Sequence, residues 1–574
     1  MSAGQQVNDV LLLEPTTTAW MYNAAGTAPA ELQALGASFQ RLLVALEAAQ
    51  IEYDLGAEDI LARHGSVTGR ALRVGQRDYR TVVLPPMTEN LNGATAGLLE
   101  RFLEAGGTVL ACAPPPGRID GALSERGTVL ARRAGWKTVD AAQLPGLLAA
   151  QAPQGFRLTR AQSDKGILFH HRRRLEEGEL LFLVNTSVET GSSGWVESSA
   201  RGVEAWDPAT GAARPYVFEA TRNGSRCRFD LLAAGSLLLF LSADRLASAP
   251  SPARAESTVQ PTATPQARRV GPNVLVLDYL DVRAGGEARE KTYFYQAAQF
   301  AFAKNGMDRN PWDSAVQFRD ELVSRTFPAS SGVEATYRFV VKGRVPAGLA
   351  AVVERPDLYT ITCNGKPVEP AKGSWWLDRA FGRIDITAAA RTGENELVLK
   401  ASPFSIHHEI EPVYILGDFS VEATDGGFVI AADRQMGLEP WNAQGQPFYS
   451  QGVAYTETFQ VPAKSGEYRV QLGRWLGSVA RVRVNGAAAG LVESAPWALD
   501  VTRWIRPGVN TVEVTVVGTL KNTLGPHHGN PPLGTAWPSM FQKAPTPGPP
   551  PGSQYSTVGY GLFEPFVLVR TASR

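Results

Sequence analysis

The chain contains 574 residues, and its 56 basic residues (Lys and Arg) balance 56 acidic residues (Asp and Glu). This length is several times that of an ordinary domain of roughly 100 to 200 residues, so it predicts several packed units. A balanced charge provides no positive field for nucleic acid or an anionic membrane, and we expect neither as a partner. The hydrophobic share of 44% and the charged share of 20% are typical of a globular protein.

Three cysteines, Cys112, Cys227 and Cys363, lie far apart and form no CxxC or Cys/His spacing. We therefore expect free thiols, with neither a disulfide scaffold nor a structural zinc site. The first residues, MSAGQQVNDVLLLEP, lack a basic stretch followed by an apolar one, and apolar runs such as 237–241 are too short to span a bilayer. The sequence thus predicts no export signal and no membrane anchor in this chain.

Residues 1–150 alternate between short apolar runs and helical stretches. Runs at 10–13, 81–84 and 108–111 surround a segment, 30–49, whose apolar residues recur at the three-to-four spacing of a buried helix face. Such alternation is typical of parallel strands that are buried on both faces. We predict a small α/β domain of the flavodoxin or amidotransferase type.

The next 120 residues or so change in character twice. Residues 167–174 and 180–184 flank the turn at 176–179 as the strands of a hairpin do, and we predict a β-sandwich over 151–246. Residues 247–272 contain almost no large apolar side chain and many Pro, Ala, Ser and Thr residues. Because such a segment cannot bury a core, we predict a Pro/Ala-rich linker there.

The second half contains an internal repeat. In each copy an Asn-Gly pair is followed by Asp-[Ile/Val]-Thr, by Gly-x-Asn and by an alternating strand pattern. The two copies begin these motifs at Asn364, Asp385 and Gly393, and at Asn485, Asp500 and Gly508. Asn-Gly predicts a tight hairpin turn. In both copies the Asp lies ten residues before the Asn of Gly-x-Asn, and this shared spacing indicates two related modules. We predict two jelly-roll β-sandwiches, at 273–412 and 413–574.

The repeat resembles the sugar-binding, galactose-binding-like jelly-roll domain of family 2 glycoside hydrolases. A longer series of segments resembles the C-terminal half of the α-L-rhamnosidase-like enzymes of glycoside hydrolase family 106. Those segments are, in chain order, 9–23, 79–86, 102–110, 180–187, 202–211, 411–421, 445–459 and 517–528. The resemblance implies a carbohydrate-active protein, a rhamnose-containing poly- or oligosaccharide as its partner, and a periplasmic or secreted location.

Members of that family are similar in carrying a catalytic (β/α) barrel ahead of the α/β domain, and no segment of this sequence matches the barrel. The resemblance therefore supplies no catalytic residue and implies a separately encoded barrel as a partner. It also implies calcium, whereas the residues themselves identify no cofactor. The α/β domain has no G-x-S-x-G elbow and no glycine-rich phosphate loop, and Cys112 lacks the flanking glycines of an elbow. We interpret this domain as structural, or as the contact of a homo-oligomer.

The richest group of histidines and carboxylates is His407-His408-Glu409-Ile410-Glu411. It does not fit HExxH, because Pro412 stands where the second His would lie. In a strand, His407, Glu409 and Glu411 would share one face. We interpret the group as structural, with sugar contact or metal binding as alternatives. For the basic run at 170–174, we expect ion pairs with the glutamates across the hairpin turn. Anion binding is the alternative.

Tryptophans are the remaining functional signal, because an indole stacks on the apolar face of a sugar ring while nearby polar groups bind the hydroxyls. Those of the second half are Trp375, Trp376, Trp441, Trp475, Trp497, Trp504 and Trp537. The candidates for sugar contact are Trp441, Trp537, Trp475 and Trp497, together with His407, Glu409 and His527.

Three hypotheses follow. The leading one is the accessory, sugar-binding part of an α-L-rhamnosidase-like glycoside hydrolase. The alternative is a self-standing carbohydrate-binding or assembly protein without hydrolase activity. A third is a hydrolytic site between the domains, built from carboxylates that the sequence does not pair.

Overall fold

The computed structural model describes residues 3–23, 29–151, 155–249, 255–313, 316–529 and 536–572. The chain divides into two compact units, Met1–Ala253 with Ser494–Pro496, and Arg254–Glu493 with Trp497–Arg574. Strands outnumber helices in both units, which confirms the prediction of a multidomain, β-rich protein. Over the described ranges, no helix has the length and apolar character that crossing a bilayer would require.

The first unit begins with a five-stranded parallel sheet between two layers of helices. Its strands, in spatial order, are Trp136–Thr138, Thr108–Ala111, Thr81–Leu84, Val10–Leu13 and Asp54–Gly56. The helices are Thr16–Tyr22, Ala30–Ala48, Glu58–His64, Gly93–Glu104, Arg126–Ala131 and Leu144–Gln151. Val82 belongs to one hydrophobic cluster and Val83 to another, on opposite sides of the sheet. Both faces are covered, which is why these strands read as continuous apolar runs.

Two small sheets and a sandwich complete the first unit. The small sheets are Gly65–Thr68, Ala71–Val74 and Arg77–Tyr79, and Asn90–Leu91, Arg118–Ile119 and Ala122–Leu123. One sheet of the sandwich contains Gln5–Gln6, Leu168–Arg174, Gly178–Asn185, Ser236–Ser242, Gly202–Trp206 and Ala213–Pro215. The other sheet contains Phe156–Arg160, Ser192–Ser198, Gly224–Leu231 and Glu219–Thr221. Both sheets contribute to one core, and the predicted hairpin forms between Leu168–Arg174 and Gly178–Asn185.

The second unit contains two further pairs of sheets, each pair around its own core. One sheet of the first pair has five strands, Asn273–Leu277, Val413–Gly417, Ala350–Glu354, Asp378–Asp385 and Pro370–Trp376. The other sheet has eight strands, Glu287–Tyr293, Tyr279–Ala284, Val333–Val341, Gly393–Ala401, Thr360–Cys363, Lys366–Pro367, Ser420–Thr424 and Gly427–Ala431. Helices Phe294–Lys304 and Asp320–Val323 accompany it. We call this pair the first sandwich.

The second sandwich combines residues from both ends of the unit. One of its sheets contains Gln266–Arg269, Val453–Val461, Gly508–Val517, Val479–Val484 and Ala487–Val492. The other sheet contains Glu256–Val259, Val567–Thr571, Glu467–Gln471 and Ala498–Asp500. A short pair, Trp475–Leu476 with Gly561–Leu562, and the helix Lys521–Leu524 lie beside them.

Two expected boundaries shift in this structure. The strands Glu256–Val259 and Gln266–Arg269 lie within the predicted linker 247–272, where they form edge strands through backbone hydrogen bonds that small or polar side chains do not prevent. The strands Val413–Gly417, Ser420–Thr424 and Gly427–Ala431 pair within the first sandwich, so that sandwich continues past the expected end at 412. Local composition reports neither fact, because strand pairing is a long-range contact.

The internal repeat is confirmed, and it builds the same hydrogen-bonded turn twice. Asn364 and Asn485 adopt positive φ angles of 50° and 52°, as the first position of a tight Asn-Gly turn requires. The Asn364 side chain donates to Asn395 Oδ1 at 2.8 Å, and that of Asn485 donates to Asn510 Oδ1 at 3.0 Å.

The buried partner in each copy, Asn395 or Asn510, is fully engaged. Asn395 donates to the carbonyls of Arg391 and Gly393 and also accepts from the backbone N–H of Arg391. Asn510 makes the same bonds with Arg506 and Gly508. The motif that carries the family resemblance is therefore an internal brace of each sandwich.

Candidate functional site

Two of the residues proposed for sugar contact are buried, and the prediction is corrected for both. Trp441 has no exposed surface, donates from Nε1 to the Tyr455 hydroxyl at 2.9 Å and packs against Tyr449. His527 is 5% exposed, and its Nε2 lies 2.9 Å from the carbonyl oxygen of Asn522. Burial lowers the pKa of His527 to about 4. Neither ring offers a face to a ligand.

The neighbouring His528 belongs to a buried group that sequence reasoning missed. Its Nε2 lies 2.8 Å from one carboxylate oxygen of Asp278, and the Tyr555 hydroxyl donates to the other at 3.0 Å. The side chains of Asp278 and His528 are each 4% exposed. These contacts attach the segment around 528 and 555 to the first sandwich, which is a structural role.

The other three tryptophan candidates retain exposed surface. Trp537 is 66% exposed. Trp475 and Trp497 are half-buried, and their rings meet edge to face with centroids 5.4 Å apart. The two half-buried rings pack against the core of the second sandwich.

The segment His407–Glu411 lies in a loop before the strand Val413–Gly417, so the strand-like alternation considered for it does not occur. His407 is exposed beside Trp312, with ring centroids 6.0 Å apart. His408 is buried, accepts from the Ser405 backbone N–H at Nδ1 and lies 3.1 Å from the Leu358 carbonyl at Nε2. His408 thus holds the loop in place.

Glu409 and Glu411 lie close to a third carboxylate, Glu354, at the end of the strand Ala350–Glu354. Burial raises the pKa of all three groups. Repulsion from Glu409 adds to the increase at Glu354 and Glu411, and repulsion from Asp313 adds to it at Glu409. The Asn310 side chain opposes this increase in the pKa of Glu409 by donating a hydrogen bond of 3.0 Å to its Oε1. The pKa of Glu411 is raised most clearly, to well above its usual range, so this carboxyl holds its proton more tightly than an exposed one.

These carboxylates do not form a metal site. Over the described residues, no group of three or more His, Cys, Asp or Glu side chains is arranged to hold a metal ion. Calcium, which the family resemblance implies, requires six to eight oxygen ligands around one point. The side chains present do not fit it, and we derive no step through a metal.

A cleft on the first sandwich combines an exposed indole with polar side chains. The cleft has a volume of about 320 Å³, and Trp375, which is 53% exposed, forms part of its wall. Polar side chains in the same lining are Arg355, Asp357, Lys372, Ser374 and Arg379. We call this group the Trp375 cleft. Sequence reasoning counted Trp375 among the tryptophans but did not select it.

An irregular strand turns Trp375 outward. The pairing of Pro370–Trp376 with Asp378–Asp385 shifts register on both sides of Trp375, and such bulges redirect side chains. The next residue, Trp376, is 8% exposed and packs on Tyr414 with ring centroids 5.3 Å apart. Trp376 therefore anchors the strand to the core while Trp375 faces the cleft.

The opposite wall begins at Arg355, which adopts a left-handed backbone conformation with a φ angle of 47°. Non-glycine residues rarely take this conformation, which is concentrated at ligand-binding and other functional sites. The guanidinium of Arg355 makes two hydrogen bonds with the Asp357 carboxylate, at 3.0 and 3.1 Å. Gly382 lines the cleft between the walls, where an added Cβ would lie 2.4 Å from Pro356 Cγ. The backbone approach there thus requires glycine.

Two other predicted features have structural roles. In the basic run, Arg172 is buried and makes hydrogen bonds of 2.7 and 2.6 Å with Glu52 and of 3.0 Å with Glu179. The predicted pairing across the hairpin turn is confirmed, and Glu52 is an additional partner. All three cysteines are free thiols, as predicted, and burial raises the pKa of Cys112 to about 11, which makes it a poor nucleophile at neutral pH.

No protein-family model matches the chain. Over 201 residues, 34% of this chain, its sequence is 28% identical to a protein of Formosa agariphila named "Putative beta-glucuronidase". Among solved structures, a rhamnosidase from Novosphingobium sp. PP1Y aligns with 99% of this chain, with a TM-score of 0.46 and 16% identity. An α-L-rhamnosidase from Streptomyces avermitilis aligns with 72% of this chain, with a TM-score of 0.22 and 12% identity.

These similar proteins are glycoside hydrolases by name, and each is much longer than this chain. The matched part amounts to 16% of the Formosa protein and to 39% of each rhamnosidase.

Proposed function

We propose that this protein is carbohydrate-active and binds a sugar in the Trp375 cleft. The observation that carries the proposal is a half-exposed indole in a concave site, beside polar side chains that can bind hydroxyl groups. Burial of the neighbouring Trp376 fixes the position of the strand that presents this tryptophan. Rhamnose-containing glycans are the proposed ligands, and a periplasmic or secreted location would expose the protein to them.

The domains fit the accessory part of an α-L-rhamnosidase-like glycoside hydrolase. The parallel sheet has the strand order 2-1-3-4-5, which supports a flavodoxin-like domain. The two sandwiches of the second unit, with their shared turn, support galactose-binding-like jelly rolls. The described strands include no eight-stranded parallel barrel. We therefore propose that glycoside cleavage, in the whole protein, takes place on a barrel outside the described residues.

Calorimetric titration of the full chain against L-rhamnose and a panel of rhamnose-containing oligosaccharides tests the binding site. We expect Trp375→Ala to lower the affinity at least about tenfold, as loss of an aromatic anchor does. Trp537→Ala is the matched control, because Trp537 is also exposed but does not line the cleft. Loss of binding in Trp537→Ala, or in a Trp475→Ala variant, with retention in Trp375→Ala would place the site elsewhere.

A self-standing carbohydrate-binding or assembly protein is the alternative to the accessory part. Both bind sugar through this chain, and they differ in whether a catalytic barrel joins it. Addition of a family 106 barrel, expressed separately, would distinguish them by co-purification and by a gain in glycan hydrolysis.

Hydrolysis by the chain itself is the second candidate function. The cluster of three carboxyls formed by Glu354, Glu409 and Glu411 favours it. Glycoside cleavage needs a protonated acid beside an ionised one, and crowded carboxyls separate their pKa values in this way. Release of reducing sugar, measured in the same titrations, tests it. Loss of release in Glu411→Gln with binding retained would establish the activity, whereas no release above a buffer blank would remove it.

A further inference from the structure

The Trp375 cleft carries two cationic side chains that have no acidic partner. Lys372 and Arg379 both line it, and in the described part of the chain their side chains make no ion pair and no hydrogen bond. Other arginines of the first sandwich do have acidic partners, as Arg338 has in Asp281 and Glu396. Two cations without partners therefore face the same space as an exposed indole.

Within the lining, the acidic residue does not cancel this charge. Asp357 is the acidic residue of the lining, and it is occupied by the guanidinium of Arg355. Asp378 precedes Arg379, but its carboxylate accepts the backbone N–H of Ala380 at 2.8 Å and does not line the cleft. The cleft thus has a surplus of two positive charges in a chain whose net charge is zero.

We propose that the ligand of the Trp375 cleft is an anionic saccharide, whose ring stacks on Trp375 and whose carboxylate or sulfate group binds Lys372 and Arg379. This inference rests on the proposed function and adds the substrate class. An arginine matches the two oxygens of a carboxylate or sulfate with two parallel hydrogen bonds, and a lysine adds a mobile point charge. A neutral sugar would gain the stacking contact but would leave both cations without a counter-charge.

The test titrates the full chain with three oligosaccharides of equal length at low and high salt. The first is an oligogalacturonide, the second is a sulfated carrageenan oligosaccharide, and the third is a neutral manno-oligosaccharide. Inorganic sulfate and phosphate are titrated separately. We expect at least one anionic oligosaccharide to bind about tenfold more tightly than the neutral one at low salt, with the advantage shrinking at high salt. The two anionic arms distinguish carboxylate from sulfate recognition.

The variants Lys372→Gln and Arg379→Gln each remove one charge from an exposed side chain. Each should lower the ratio of anionic to neutral affinity severalfold, because Gln keeps hydrogen-bond donors for hydroxyl groups but carries no charge, and the double variant should abolish the anionic preference. Arg383→Gln is the matched control, since Arg383 is exposed on the same strand as Arg379 but does not line the cleft. Thermal unfolding midpoints of all variants verify that they are folded.

The outcomes separate this inference from the proposed function. Equal binding of anionic and neutral sugars, lost in Trp375→Ala, would keep the sugar site and overturn the anionic class. Anionic preference that survives in the double variant would also overturn it. Binding of inorganic anions as tight as that of the oligosaccharides would reduce the cleft to an anion site without a sugar. Absence of all binding here, together with no binding to the rhamnose-containing panel, would remove the proposed function itself.

Discussion

The two sandwiches of the second unit share one turn motif but differ in the segment that follows it. In the first, 21 positions separate Asn364 from Asp385, and in the second, 15 separate Asn485 from Asp500. The longer segment contains the irregular strand Pro370–Trp376, which exposes Trp375. In the second sandwich the corresponding segment contains Trp497, which is half-buried against Trp475. The repeated motif thus builds the scaffold, and the variable segment determines whether a tryptophan is exposed or packed.

The strongest test of a shared scaffold replaces its central asparagine in each copy. Asn395→Ala and Asn510→Ala each remove a buried side chain that makes four hydrogen bonds. We expect each variant to lose about 3 to 5 kcal/mol of unfolding free energy, because four hydrogen bonds around a buried side chain are lost and their part-buried partners are left unpaired. Urea unfolding measures both losses.

Asn442→Ala is the control, since the Asn442 side chain makes one hydrogen bond, of 3.2 Å, to Thr557. It should cost about 1 kcal/mol. A loss in one copy that is far smaller than in the other would show that the shared hydrogen bonds do not have a shared role.

Glu457 distinguishes the second sandwich in a different way. Its side chain is 2% exposed between Tyr455 and Phe459 on the inner face of the strand, and both carboxylate oxygens lack a hydrogen-bond partner. Burial raises its pKa from 4.5 to about 7. A folded-state pKa above the unfolded value means that the folded protein binds the proton more tightly. The unfolding free energy should therefore decline as pH rises from 4.5 to 7, by about 3 kcal/mol at roughly 1.4 kcal/mol per pKa unit.

Unfolding of Glu457→Gln should lack this decline, and Glu457→Leu should be the more stable protein at pH 8. Glu513→Gln serves as control, because Glu513 lies on the neighbouring strand and is only half-buried. Equal pH profiles for Glu457→Gln and the parent chain would show that Glu457 does not govern the decline.

The tryptophans provide the next comparison. Trp475→Ala should lower the unfolding free energy by about 2 kcal/mol, since half of a large side chain leaves the core, and should leave glycan affinity unchanged. Trp375→Ala should do the reverse, with lost affinity and little change in stability. Chemical unfolding measures the stability of both variants, and calorimetric titration measures their glycan affinity. If each variant lost both stability and affinity, the prediction would be contradicted.

The smallest expected effect concerns the pair of Arg355 and Asp357. The Arg355 guanidinium lowers the pKa of Asp357, but both side chains are about half exposed, so the pair contributes well under 1 kcal/mol to stability. Asp357→Asn should therefore hardly change the unfolding midpoint. It frees Arg355 for a ligand, and the affinity for an anionic oligosaccharide should rise severalfold. Unchanged or weaker anionic binding would show that Arg355 does not reach the ligand.

The sequence is informative wherever a pattern depends on near neighbours. The parallel strands are visible as apolar runs such as Thr81–Leu84, and the Asn-Gly turns are visible because few residues accept a positive φ angle. The hairpin around 176–179 follows from the same kind of reasoning. Each of these features is decided within a few residues of the chain.

Long-range contacts decided the rest. Trp441 and Trp375 both lie in stretches rich in polar and small residues, yet Trp441 is enclosed by Tyr449, Tyr455 and Tyr560, and Trp375 faces a cleft. The edge strands inside the predicted linker follow the same rule, since their partners lie about 190 and 310 residues away. Amino-acid type and local spacing set which conformations are allowed. Burial, and with it the surface left open to a ligand, depends on which distant strands pair, and that is settled only when the sheets pack.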